Sequence, residues 1–497
     1  MCNCLSTRLV SLVFVIAVLT SPYPKEAAGR SDDKPNVILI VVDDLGWMDL
    51  ACQGSEFYKT PHIDRVATQG LRFLNGYAAS AVCSPTRAAI QTGRYPHRLG
   101  VTDWIRSRFQ RSTNETITSN PTEFTSDPKQ PLSCPPNPYF LEPSERTIAD
   151  MLSSSGYRCG YVGKWHLGDD EFYPEKRGYH VNKGGCDYGQ PPSYFDPFNN
   201  PMHPNPMIKA GIHNLPSRNP GEFLTKRESD EVVSLIEEWK DRPFFIQLSH
   251  YAVHTPIQAI PAVEAKYSNA PGKTKQNAKY AAMVESVDES MRNICDCLEK
   301  LNLADNTLVI FTSDNGGLDN RGEPTDNAPL RSGKGYAYEG GIRVPLIVRW
   351  PNKIPAGTVS SAAVSSIDFF PTILEACGVQ APVDRTIDGI SLVSHLKSGG
   401  SESLNRSELV WHFPHYRHDP GPYSILRSGD WKLIKYWHGK QELFQLKDDP
   451  TESTDLAAVF PGRVLQMDQR LVEKLKTDGA KLPRLNPNYA PQEVPQP

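Results

Sequence analysis

The chain is 497 residues long, with 53 Lys and Arg against 57 Asp and Glu and a formal net charge of −4. That length exceeds a single core of ordinary size, and the near balance of charge, without a long basic stripe, excludes nucleic acid as a partner. Of ten cysteines, Cys2 and Cys4 precede the first apolar run and Cys83 lies in a motif taken up below; the others are odd in number, so a full disulfide framework is not implied.

Arg8, the apolar run Leu9 to Leu19 and Ala27-Ala28-Gly29 read as a secretory signal over 1–29, with the cleavage point open. No other segment reaches the ~18 apolar residues that span a bilayer. The mature chain is therefore expected to be exported, to a periplasmic, secreted or lysosome-like compartment, without stable membrane insertion. Val37 to Val42 is a continuous β-branched apolar run, the mark of a buried parallel strand. Asp43 and Asp44 follow at once. Ligands of open α/β sheets gather at the carboxyl ends of strands, and adjacent carboxylates there suit a hard cation, although such a pair is more often a turn or cap.

A helix is expected over Pro61 to Gly70, and another directly after Cys83, with Ser84 as N-cap, Pro85 at the first helical position and Gly93 just past the end. Arg87, one turn on, can bring its guanidinium to the helix N-terminus, so a tetrahedral oxyanion fits there. Residues 106–140 are rich in Ser, Thr, Pro and Asn and read as a long loop. A helix from Ser144 to Gly156 and a strand from Tyr157 to Val162 deliver Lys164 and His166, which face one side if the chain stays extended.

Residues 172–220 are irregular and aromatic, and Thr225-Lys226-Arg227-Glu228 reads as a capping box opening a helix to Lys240. The strand Phe244 to Ser249 precedes His250, read as a satisfied structural histidine, and His254. A helix from about Thr274 to Leu301 carries an apolar stripe that is core, and its Cys295 and Cys297 read as ordinary thiols. After the strand Thr307 to Phe311 come Asp314 and Asn315, then Lys334 in a Gly-rich segment, the strand Val344 to Arg349 and the helix Ile367 to Cys377. Asp43, Asp44, Asp314 and Asn315 form an all-oxygen set that suits calcium or magnesium rather than zinc. Beyond about residue 390, short strands at 408–413, 423–427, 431–436 and 442–446 imply a small antiparallel sheet, followed by a helix over about 462–475 and an extended tail from 483.

Cys83-Ser84-Pro85-Thr86-Arg87 with Thr92-Gly93-Arg94 resembles the signature of the type I sulfatases, whose motif cysteine is oxidised to formylglycine. Asp43-Asp44-Leu45-Gly46-Trp47, Gly163-Lys164-Trp165-His166-Leu167-Gly168 and His254-Thr255-Pro256 resemble other segments of that family, and the layout from Asn36 to about Ala457 resembles the sulfatase branch of the alkaline phosphatase superfamily. The expected fold is α/β: a large mixed, mostly parallel sheet flanked by helices on both faces over 34–390, a small C-terminal antiparallel sheet with a helix over 391–482, and a tail over 483–497. The resemblance implies hydrolysis of sulfate monoesters. It makes Cys83, as formylglycine hydrate formed by a formylglycine-generating enzyme, the nucleophile and a ligand of one cation beside Asp43, Asp44, Asp314 and Asn315, with calcium ahead of magnesium. It also implies that Arg87, Lys164 and Lys334 hold the sulfate, that His254 or Lys334 protonates the leaving oxygen, and that His166 takes the proton from the second hydroxyl when sulfate is expelled.

A phosphonate monoester or phosphodiester hydrolase of the same superfamily is the alternative, and a non-catalytic binder of sulfated glycans a further one. A zinc phosphatase is disfavoured because no His-rich second metal set accompanies the aspartates. The irregular loops and Trp411 to His418 mix basic and aromatic residues, which suits a sulfated carbohydrate as substrate, although His412, His415 and His418 read equally well as exposed loop residues. Asn114-Glu115-Thr116 and Asn405-Arg406-Ser407 are glycosylation sequons.

Overall fold

The computed structural model describes residue 1 and residues 34–111, 117–268, 275–319 and 323–490. The signal segment with Cys2 and Cys4, the sequon at Asn114, Thr274 and residues 491–497 lie outside the described residues.

An eight-stranded sheet organises the chain. Its strands are β1 (Asn36–Val42), β2 (Leu71–Tyr77), β4 (Arg158–Gly163), β5 (Val181–Lys183), β6 (Phe244–Ser249), β7 (Thr307–Ser313), β8 (Leu346–Arg349) and β9 (Thr358–Ser365), with β3 (Leu132–Ser133) outside it. The order is β5-β4-β6-β1-β7-β8-β2-β9. β5, β4, β6, β1 and β7 run parallel, and β8 lies antiparallel to both β7 and β2. β1 sits near the middle with every residue buried, as a β-branched strand covered on both faces must be.

Neighbouring residues of a strand face opposite sides, and β4 displays both helical layers. Gly160 lies against Leu235 and Trp239 of the helix Leu224–Trp239, while Cys159 reaches the Ala149 carbonyl in the helix Ile148–Ser153. The smaller sheet, in the order β10 (Glu408–Phe413), β11 (Tyr423–Ser428), β12 (Trp431–Tyr436), β13 (Gln441–Gln445), is wholly antiparallel. The helix Pro461–Thr477 lies against β11 and β12.

Some local expectations differ from the structure. The expected capping box at Thr225 is absent: the helix starts at Leu224, and Glu228 accepts instead from His250 Nδ1 at 2.6 Å, so the longer-range partner wins the carboxylate. With His250 Nε2 on Ser290 Oγ, this histidine is indeed fully satisfied. The helix expected from Ser144 begins at Ile148 behind a capping box made by Thr147 and Asp150. The tail does more than extend: Arg484–Leu485 form β14, which pairs antiparallel with β3 inside the 106–140 loop. Cys295 and Cys297 are free thiols. No helix among the described residues is long and apolar enough to cross a membrane.

Candidate active site

The parallel strands bring their carboxyl ends to one edge, and the chain emerging from each end carries polar groups that the strand itself excludes. After β1 come Asp43 and Asp44, after β4 Lys164 and His166, after β6 His254, and after β7 Asp314 and Asn315. The helix Cys83–Thr92 points its first turn at the same edge; it starts at Cys83 itself, with Val82 in an extended conformation before it and Gly93 in the left-handed region at its end. Ser84 is therefore not the N-cap. Its hydroxyl donates to the His166 carbonyl at 2.9 Å and accepts from the Ile105 amide at 2.9 Å, tying three segments around the cysteine.

Three buried carboxylates meet three buried cations here. Asp43 Oδ2 accepts from Lys164 Nζ at 2.6 Å. Asp44 Oδ1 lies 2.6 Å from Lys334 Nζ and accepts from Asn315 Nδ2 at 2.7 Å. Asp314 Oδ2 receives Arg87 Nε at 2.8 Å and the neighbouring terminal nitrogen at 2.7 Å, while Arg87 also donates to the Lys164 carbonyl at 2.7 Å. The chain is not extended between Lys164 and His166: Gly163 and His166 both have positive φ, 89° and 60°. Gly163 is required there, because a Cβ would come 2.0 Å from the Ser249 carbonyl oxygen. The turn still brings both side chains in, Lys164 onto Asp43 and His166 into the cavity wall beside Cys83.

Burial and charge set the protonation of the cluster. Burial raises the Asp43 carboxyl well above its ordinary value and Lys164 only partly offsets it. Burial also raises Asp44 and Asp314, but Lys334, His254 and Lys164 together outweigh it for Asp44, and Arg87, Lys164 and Lys334 together for Asp314, so both are held low. Burial raises the Cys83 thiol. Burial, then Lys334, drives the His254 imidazole down to about 3; burial, then Lys164 and Arg87, drives His166 well below its usual value. The hydrogen bonds name the neutral tautomers. His166 Nε2 faces the Ile105 carbonyl at 2.8 Å and so carries the proton, leaving the buried Nδ1 without a partner; His254 Nδ1 faces the Thr255 carbonyl at 3.0 Å, leaving Nε2 toward Asp44 at 3.6 Å.

The donor set fits a divalent cation. One ligand atom each from Asp43, Cys83 and Asp314, and likewise from Asp44, Cys83 and His254, lie within 4.8 Å of one another. Asp43 Oδ1 and Asn315 Oδ1 are buried acceptors with no hydrogen-bond donor, a costly arrangement that a hard cation relieves. The residues named for the cation, the nucleophile, the sulfate and the proton transfers thus come together at this edge. A cavity of about 210 Å³ opens above them, lined by Cys83, His166, His254 and Lys334 and also by Trp104, Gln110, Gln190 and Arg417. Trp104, Gln110 and Gln190 were not singled out. The pairing of an indole and a guanidinium at Trp104 and Arg106 is the signal that marks this wall. Asp49, equally unsuspected, braces the Asp44 loop by accepting from the Gly46 amide at 2.8 Å, Tyr280 Oη at 2.6 Å and Thr325 Oγ1 at 2.7 Å. His412 and His415 are not exposed: His412 is buried on Ser424, and His415 on Thr102.

The "Sulfatase" family model matches residues 35–379, and the model of the N-sulphoglucosamine sulphohydrolase C-terminal region matches 332–479. The chain is 32% identical over 386 residues to N-acetylgalactosamine-6-sulfatase of Homo sapiens, covering 75% of this chain and 67% of that one. It is 30% identical over 538 residues to a sulfatase of Formosa agariphila, covering 94% and 93%. The crystal structure of Ps i-CgsB in complex with k-i-k-neocarrahexaose superposes with a TM-score of 0.76 at 30% identity, covering 90% of this chain and 93% of that one. With the family model spanning most of the chain and the fold matching over nine-tenths of it, the protein belongs to the sulfatase family and is a sulfuric ester hydrolase.

Proposed function

We propose that the protein releases inorganic sulfate from a sulfated carbohydrate with Cys83 oxidised to formylglycine. The observation that carries this reading is the convergence of Cys83 with three buried carboxylates and three buried cations at one sheet edge. Asp43, Asp44, Asp314, Asn315 and the oxidised residue 83 would hold one divalent cation, calcium ahead of magnesium. When bound, the cation and the aldehyde hydrate supply charge stabilisation and a nucleophilic oxygen. With the carboxylates so engaged, Lys164, Lys334 and Arg87 turn their positive charge to the sulfate oxygens, where negative charge grows as the ester bond breaks. Lys334, kept protonated beside Asp44, or His254 once it is an imidazolium, gives a proton to the leaving oxygen. His166, oriented by Ile105 and Cys186 with its Nδ1 lone pair free, takes up the proton lost as sulfate departs. Conversion of Cys83 by a formylglycine-generating enzyme, export directed by residues 1–29 and a division into 34–390 and 391–482 complete the reading.

The substrate class rests on likeness to N-acetylgalactosamine-6-sulfatase, whose name refers to a sulfated sugar, together with the aromatic and basic lining of the cavity. The test is a screen of defined sulfated saccharides, small aryl sulfates and matched phosphate and phosphonate esters, reading free sulfate or phosphate. Turnover confined to phosphorus esters would refute the proposal in favour of its superfamily alternative. Chelation is expected to abolish turnover and to lower thermal stability by about 2–4 kcal/mol relative to saturating cation. Calcium should restore both, magnesium less well, whereas an activity indifferent to exhaustive chelation rules out the metal centre.

A further inference from the structure

The small antiparallel sheet reaches into the catalytic cavity through one loop, residues 414–422 between β10 and β11. That loop is fastened at three points. His415 Nε2 meets Thr102 Oγ1 at 2.8 Å, Tyr416 Oη accepts from the Leu132 amide at 3.1 Å, and the His418 ring stacks on Tyr336 with centroids 4.1 Å apart and planes 4° from parallel. Between them Arg417 lies across Gly335, the residue after Lys334. A Cβ on Gly335 would stand 2.4 Å from Arg417 Nε and would push the guanidinium aside, and the φ of 87° at Gly335 favours glycine besides.

Arg417 is exposed, lines the cavity beside Lys334 and Trp104, and among the described residues makes no ion pair. Across the mouth, the Arg106 guanidinium lies over the Trp104 ring, 5.0 Å from its centroid. The positive charge at the mouth exceeds what one sulfate needs. Arg87, Lys164 and Lys334 already face the transferring group and are matched by Asp314, Asp43 and Asp44. Among the described residues Arg417 has no such partner, and its seat over Gly335 holds it in the wall of the cavity that Cys83 and Lys334 also line.

Resting on the sulfatase reading, we propose that Arg417 makes the cavity mouth a subsite for a second anionic group, a sulfate ester or a carboxylate, on the sugar that leaves, with Trp104 against the sugar face. A guanidinium recognises either group by paired N–H donors, and an indole recognises the apolar face of a ring. The substrate is then a saccharide with at least two negative charges in neighbouring positions.

The experiment compares wild type, Arg417→Ala and Arg417→Lys, each with residue 83 converted, on one saccharide bearing a single sulfate, the same saccharide bearing a second sulfate, and the same bearing a carboxylate. The quantity read is the ratio of kcat/KM for each doubly charged sugar to that for the singly charged one. Wild type is expected to prefer a doubly charged sugar. Arg417→Ala should reduce that preference about 10- to 100-fold, chiefly through KM, with Arg417→Lys in between. Which of the two doubly charged sugars loses more identifies the second group. A ratio that Arg417→Ala leaves unchanged for both sugars overturns the subsite while leaving the sulfatase reading intact. A wild type that releases sulfate from none of the three, nor from an aryl sulfate, overturns the sulfatase reading and the subsite with it.

Discussion

A Cys83→Ala protein is expected to fold normally and to release sulfate slower than converted wild type by on the order of 10⁵-fold or more. Cys83 is the first residue of its helix, buried, and surrounded by Asp43, Asp44, Asp314 and His254. Alanine is the better helix former and leaves no strain, so the fold should lose little. It also carries no atom that can be oxidised to a nucleophile, and the charge clamp around it then has nothing to deliver to sulfur. Two readouts separate the cases: thermal stability stays near wild type, and mass spectrometry of the peptide containing residue 83 reports the aldehyde. Across wild-type preparations, specific activity should rise in proportion to the aldehyde fraction. Turnover within about tenfold of wild type by the alanine protein, or by wild type that keeps its thiol, contradicts the assigned nucleophile.

Lys432→Met is expected to cost about 3–5 kcal/mol of stability although the residue lies outside the catalytic cavity. Lys432 Nζ stands 3.0 Å from Glu339 Oε1 and 2.7 Å from Glu452 Oε1, and all three side chains are fully buried. Glu452 also accepts from the Glu339 amide at 2.6 Å, and Tyr77 donates to Glu339 at 2.7 Å. Methionine fills the space but removes the ammonium that the two carboxylates share, leaving Glu339 only Arg343 at 3.8 Å. Restoring neutrality with Glu339→Gln and Glu452→Gln on the Lys432→Met background should recover part of the loss, which a purely steric effect would not allow.

The same cluster gives a pH dependence. Burial outweighs Lys432, and Glu339 adds repulsion, so the Glu452 carboxyl is pushed up from 4.5 to about 7. A raised acid contributes stability that is fully present below its ordinary value and is lost as pH rises through the folded one. Glu339, where burial is outweighed only by Lys432, Arg343 and Arg427 together, is held below its ordinary value and acts only on the more acid side. Thermal unfolding should therefore show the wild type more stable near pH ~5 than near pH ~8 by about 1–3 kcal/mol from this group. Glu452→Gln should flatten that slope.

The central strands were legible because burial on both faces leaves a strand no choice but a continuous apolar run, as in Val37 to Val42 and Thr307 to Phe311. β9 was not. Its Thr358-Val359-Ser360-Ser361-Ala362-Ala363-Val364-Ser365 carries no such run, and as the last strand in the sheet it pairs only with β2. The acidic and basic groups of the site were legible through motif resemblance, which fixes residues but not distances. The capping box at Thr225 failed because Glu228 is taken by His250, a partner that local sequence does not announce. Trp104, Gln110 and Gln190 were missed for a related reason. They come from aperiodic segments whose place over the sheet is decided by contacts far along the chain.

One such contact lies outside the catalytic cluster. Asn486 donates to the carbonyls of Asp127 and Gln130, and the two-residue strand beside it clasps Leu132–Ser133, next to a cleft of about 470 Å³ bounded by Arg106, Glu123, Asp127 and Tyr416. Among the described residues, none of those proposed to hold the cation or the transferring sulfate is hydrogen-bonded to this clasp. A cut in the short stretch between residues 478 and 484 is expected to loosen β14 from β3 and to leave the hydrogen bonds around Cys83 in place.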